Sequence, residues 1–124
     1  MRIYKSKWFS KWALNQGITD SILLGSAEDL KNGLTDANLG GHVYKKRFAM
    51  EGRGKSGGLR TLLAFKAQSD VFFIYGFAKN DQGNISSNEL TALKLMAKEL
   101  LGLSPLQLSQ AIKTGSLIEV IQHG

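Results

Sequence analysis

A chain of 124 residues with 43% hydrophobic and 21% charged side chains has the size and make-up of one folded domain over residues 1–124, and argues against a repeat array or a low-complexity tail. It has no cysteine, which removes a disulfide framework and thiolate zinc sites and suits a reducing compartment, so a cytoplasmic protein is predicted. The net charge is +6. No apolar run approaches the about 18 residues of a membrane span, and no signal-peptide core follows Arg2, Lys5, Lys7 and Lys11, so neither membrane insertion nor secretion is expected.

Residues 5–16 read as a short helix, because Trp8, Phe9, Trp12 and Ala13 form one apolar stripe and Gly17 follows. A second helix is predicted to start at Thr19 or Asp20, to carry Ile22, Leu23, Ala27 and Leu30 on one side, and to end near Gly33. Asp36, Asn38, Gly40 and Gly41 mark Thr35 to Gly41 as a loop.

Three strands are predicted next, Val43 to Ala49, Leu59 to Lys66 and Val71 to Ala78, joined by the Gly-rich stretch Glu51 to Gly58 and the polar stretch Ala67 to Asp70. They read as an antiparallel meander. In the first, alternation sets Lys45 and Arg47 on one face and Tyr44, Lys46 and Phe48 on the other. The other two are apolar on both faces, as central strands covered on each side are. Ser86 with Glu89 three residues on is a capping-box start for a helix through Leu101, ended by Gly102. Ser104-Pro105 opens a further helix to about Lys113. Leu117 to Ile121 reads either as a short edge strand or as an ordered tail. The expected fold is therefore α+β, a small mainly antiparallel sheet of three to four strands packed by N-terminal helices and a C-terminal helix.

The positive charge is concentrated. Between His42 and Lys66 lie seven basic residues (Lys45, Lys46, Arg47, Arg53, Lys55, Arg60 and Lys66) against one acid, Glu51, and the remainder of the chain is neutral. A clustered excess of this kind suits a polyanion, because neutralising phosphates releases counterions and steers association. The bland alternative is a solvated basic hairpin. No metal-ligand cluster and no nucleotide-binding loop occurs, so neither metal nor cofactor is expected.

The Lys45-Lys46-Arg47 strand, the run Gly52-Arg53-Gly54-Lys55-Ser56-Gly57-Gly58-Leu59-Arg60 and the run Phe73-Ile74-Tyr75-Gly76-Phe77-Ala78-Lys79-Asn80, in that order and spacing, resemble the RelE-like toxins of the RelE/ParE superfamily, especially the HigB-type branch. The likeness extends over roughly Ile3 to Leu101. It implies the toxin of a type II toxin–antitoxin pair, an endoribonuclease that cuts messenger RNA on the ribosome and inhibits translation. Its partners would be the ribosome, mRNA and a cognate antitoxin, a helix-turn-helix protein encoded by the adjacent gene. The ParE branch instead inhibits gyrase without cutting RNA, and a non-catalytic RNA-binding regulator is a third possibility.

The resemblance sets Lys45 and Arg47 where RNA-cutting relatives hold a basic pair, and Arg60 where they hold the arginine on the scissile phosphate. Lys79 or Asn80 lies near their further basic residue. Metal-independent cleavage needs the 2′-hydroxyl deprotonated, the phosphorane charge stabilised and the departing 5′-oxygen protonated. Arg60 suits the second task, because guanidinium is permanently charged and forks onto two oxygens. A lysine among other cations has a depressed pKa, which makes Lys45 or Lys55 candidate bases. The candidate catalytic set is thus Lys45, Arg47, Lys55, Arg60 and Lys79, with Lys46, Arg53, Lys66 and Asn80 as RNA-binding residues. Relatives place a tyrosine or histidine on or after the helix that follows the last strand, whereas residues 86–101 contain neither. His42 is a further candidate for proton transfer, as is His123 more remotely. Tyr75 reads as core, facing inward with Phe73 and Phe77, and Trp8 and Trp12 read as core in preference to base-stacking platforms.

Overall fold

The computed structural model describes residues 1–48, 58–79 and 82–121. In chain order these form β1 (Ile3–Ser6), α1 (Lys7–Gln16), α2 (Asp20–Lys31), β2 (Ala37–Asn38), β3 (Val43–Phe48), β4 (Leu59–Ala64), β5 (Val71–Ala78), α3 (Ser87–Leu101), α4 (Pro105–Thr114) and β6 (Leu117–Glu119). The six strands make one open sheet in the order β2-β3-β4-β5-β1-β6. Every pairing is antiparallel except that of β1 with β5. The α+β class and the β3-β4-β5 meander agree with the sequence. The strand count does not, since six replace the expected three to four.

The additional strands are short. β1 spans four residues and runs straight into α1, because Ser6 is both its last residue and the N-cap of the helix, accepting from the Phe9 amide at 3.0 Å. Four residues cannot display a two-residue period against the strong helical stripe behind them. β2, two residues long, lies in the predicted loop, and β6 resolves the C-terminal alternative as an edge strand on β1. Both outer strands are brief, which leaves little open ladder for unwanted pairing.

The sheet is covered on both faces. α1 and α2 put Phe9, Ala13, Leu23, Ala27 and Leu30 over Leu59, Leu63, Val71 and Phe73. On the other face α3 and α4 pack Leu93, Ala97, Leu108 and Ala111 over Val43, Leu62, Ala64 and Phe72. β4 and β5 are accordingly buried nearly throughout. The helix starts follow their signals: Thr19 caps α2, and capping boxes open α3 (Ser86 with Glu89) and α4 (Ser104 with Gln107).

One irregularity matters for the site. β4 and β5 pair Leu62 with Tyr75 but Leu63 with Phe73, so Ile74 is an extra residue in β5. Such a bulge re-aims the side chains beside it. Here it separates Phe73, which joins the α1 and α2 core, from Tyr75 and Phe77 on the α3 face. The expectation that Tyr75 faces inward with Phe73 is corrected accordingly. Ser6 holds the bulge by donating its hydroxyl to the Ile74 carbonyl at 3.3 Å.

Candidate nucleic-acid interface

The β3-β4 register sets the site. Arg47 lies directly opposite Arg60, and Lys45 opposite Leu62. Lys45, Arg47 and Arg60 therefore share the α3 face of the sheet, at the end of the β3-β4 pair away from the Val43 and Ala64 positions that α3 covers. Arg47 is exposed, and Lys45 and Arg60 are half-buried. The ion pairs among the described residues are Lys5–Asp20 and Lys46–Asp29, so no described carboxylate lies within 4.0 Å of these three cations. The Arg60 guanidinium turns back along its own strand, with Nη1 3.4 Å from the Leu59 carbonyl oxygen. It lies over Gly58, where a Cβ would sit only 3.0 Å from Nη1.

Lys79 joins this end of the sheet. It follows β5, is exposed, and donates its backbone amide to the Gly58 carbonyl at 3.1 Å, beside the Arg60 side chain. Asp36 fixes the outer edge by accepting from the Arg47 amide at 2.6 Å.

Lys46 points the other way, as its alternation requires. Its ammonium pairs with Asp29 of α2 at 3.4 Å and lies 3.5 Å from the Leu34 carbonyl, tying β3 to the opposite helical layer. Lys66 is exposed beyond the far end of β4. Lys55, Arg53 and Asn80 lie outside the described residues, as do the loop glycines Gly52, Gly54 and Gly57, and His123. His42 immediately precedes β3 and accepts the Phe65 amide on its carbonyl at 3.0 Å. Five residues separate it from Arg47, roughly 17 Å of strand at about 3.3 Å each.

A polar cluster at the start of α3 was not legible as a unit in the sequence. The Tyr75 hydroxyl donates to Glu89 Oε2 at 2.9 Å, while Glu89 Oε1 accepts from the Ser86 amide at 3.0 Å and from Gln82 Nε2 at 2.9 Å. The Ser86 amide, followed by the Tyr75 hydroxyl, holds the Glu89 carboxyl below the usual carboxylate range. Burial, reinforced by the bond to Glu89, pushes the Tyr75 hydroxyl above its ordinary value. At neutral pH the pair is a phenol donating to a carboxylate. Tyr75 also stacks on Trp8, ring centroids 4.9 Å apart. Trp8 is 49% exposed, whereas Trp12 packs against the core, so of the two only Trp12 fits the core expectation. The capping box announced Glu89, but the bulge that brings Tyr75 to it carries no sequence signal.

Among the described residues no group of three or more metal-ligating side chains comes together, and no helix is long and apolar enough to cross a membrane. What the geometry offers is a row of cations with no described carboxylate within 4.0 Å, suited to an oxyanion.

No curated protein matches the chain. The family model described as the RelE toxin of the RelE / RelB toxin-antitoxin system matches residues 1–120, nearly the whole sequence. The chain therefore belongs to the RelE toxin family of toxin–antitoxin systems.

Proposed function

We propose that this toxin is a HigB-type, ribosome-dependent mRNA endonuclease of the cytoplasm, restrained by a helix-turn-helix antitoxin encoded by the adjacent gene. The observation that carries the reading is the cross-strand pairing of Arg47 with Arg60. Like charges directly opposite each other destabilise a sheet, and no described carboxylate lies within 4.0 Å of either guanidinium. A bound phosphate would offset them, since two guanidinium groups fork onto its non-bridging oxygens and become most favourable as the phosphorane gains charge.

In the proposed reaction the 2′-oxygen attacks phosphorus and the bond to the 5′-oxygen breaks, leaving a 2′,3′-cyclic phosphate and a 5′-hydroxyl. One proton leaves the 2′-hydroxyl and one reaches the 5′-oxygen. Arg60 and Arg47 stabilise the phosphorane, Lys45 on the same face takes the proton-transfer role, and Lys79 adds positive charge where the strand leaves the sheet. Arg53, Lys55 and Asn80 are proposed to extend the same surface.

Ribosomes carrying a defined message test this. Wild-type protein should cut the message, and Arg60→Ala should lose about 100- to 1000-fold in rate with its melting temperature retained. Arg60→Lys should recover only part, because lysine keeps the charge and loses the fork. A folded Arg60→Ala protein that cuts at the wild-type rate removes Arg60 from the site. A second reading, RNA binding without cleavage, draws support from the Tyr75 hydroxyl being engaged by Glu89 and from His42 lying at the opposite end of β3. Intact message bound to wild-type protein would establish it.

A further inference from the structure

The far end of the β3-β4 pair carries a second basic site. His42, Lys66, Lys94 and Lys98 line a cavity of about 430 Å³ between the turn before β3, the end of β4 and the second half of α3, with Gly41 and Leu101 in its wall. Among the described residues no acidic side chain lines it. None of the three lysines has a described carboxylate within 4.0 Å. In the sequence Lys94 and Lys98 belong to the neutral remainder of the chain, and only the docking of α3 brings them to Lys66.

The site is shaped by backbone. Gly40, Gly41 and His42 have φ of 85°, 59° and 64°, three successive left-handed residues, of which a histidine is an uncommon member. Their turn is closed by the Val43 amide on the Gly40 carbonyl at 3.0 Å. The Lys94 stem lies across it so closely that a Cβ at Gly41 would fall 2.9 Å from Lys94 Cγ. Lys94 is thereby held along the turn, its ammonium near Gly40.

We propose that this cavity is a second phosphate-binding site, which grips the backbone of an RNA strand whose other end lies on Arg47 and Arg60. The inference rests on the RNA-binding reading above and adds to it the path of the strand. The two sites are separated by the length of β3, roughly 17 Å. A stacked strand advances about 3.4 Å of its axis per phosphate and an extended one about twice that, so the span corresponds to roughly three to five phosphates. An oligonucleotide of two residues, with a single internucleotide phosphate, cannot occupy both sites, whereas one of about twelve can.

Fluorescence anisotropy with oligoribonucleotides of those two lengths, titrated from about 50 to 200 mM salt, provides the test. Lys94→Gln/Lys98→Gln should bind the short oligonucleotide as wild type does. It should bind the long one several-fold more weakly, with the salt slope reduced by about 1.4, or about 0.7 for each phosphate of a single strand that no longer meets a lysine. Lys66→Gln/Lys98→Gln, which alters two exposed side chains, should behave alike even if replacing Lys94 disturbs the turn. Unchanged affinity and slope for the long oligonucleotide in both variants overturns the second site, as does a wild-type protein that fails to bind it. Arg60→Ala should weaken both lengths. If it weakens neither while the cavity variants lose the long oligonucleotide, the cavity stands and the arginine row, with the function built on it, falls.

Discussion

Arg47 and Arg60 face each other across two strands with no described carboxylate within 4.0 Å of either guanidinium, an arrangement that costs the fold stability and that the proposed phosphate site would explain. Removing one of them should therefore separate stability from binding. Arg47→Ala is expected to leave the fold as stable or more stable, by up to about 1 kcal/mol at low salt, since a like-charge cross-strand pair is relieved, while RNA affinity and its salt slope both fall. Chemical denaturation and RNA titration on one preparation check this, and a marked loss of stability would show that Arg47 has a structural partner. Glu89 behaves oppositely. Its folded pKa is depressed by the Ser86 amide and the Tyr75 hydroxyl, so its contribution to stability is present above the unfolded glutamate value of about 4.3 and disappears as pH falls through the lower folded value. Glu89→Gln should melt below wild type at neutral pH, with the gap closing in acid. A gap independent of pH would mean that packing, not the carboxylate, is what the substitution removes.

The packing of α1 on β5 depends on the absence of one side chain. Gly76 lies beneath the Trp12 ring, and a Cβ there would fall within it. Gly76→Ala should cost about 1–3 kcal/mol through overpacking, and adding Trp12→Leu should recover part of that in a denaturation series. Wild-type stability in Gly76→Ala would show that α1 can shift freely over the sheet. This packing also marks how far the sequence could be read. Helix starts at Ser86 and Ser104, the three central strands and the separation of Lys45 and Arg47 from Lys46 were legible, because each rests on a local pattern of caps or alternation. β1, β2 and β6 were not, because strands of four, two and three residues are specified by the neighbours they pair with. The facing of Tyr75 was misjudged for a related reason: the bulge at Ile74 breaks the alternation, and what fixes it is a hydroxyl from Ser6, 68 residues earlier in the chain. The candidate site divides in the same way: strand periodicity joins Lys45 to Arg47, the family resemblance adds Arg60, and the lysines of α3 are visible only once the helix is docked.

At the scale of the molecule, cations are distributed along both ends of one hairpin, while the described ion pairs lie on the α2 side. Lys5 and Lys46 meet Asp20 and Asp29 on the α2 side, whereas Lys45, Arg47, Arg60, Lys66, Lys94 and Lys98 meet no described carboxylate within 4.0 Å. A folded, +6 protein with such a surface associates rapidly with polyanions, and a toxin of this family must be held from its target by its antitoxin. Expression of the wild-type chain alone should therefore arrest growth, and coexpression of the adjacent gene should restore it. Arg60→Ala should be tolerated alone, because it removes the group proposed to stabilise the phosphorane while the rest of the surface remains intact. Wild type and variant have to be matched for the level of folded protein, since an unfolded variant would be harmless for a trivial reason. Wild-type protein that accumulates folded without slowing growth would contradict the toxin's action in that host. Arrest by Arg60→Ala as complete as that by wild type would instead move the toxic interaction away from the arginine row, to a target that does not depend on holding a phosphate there.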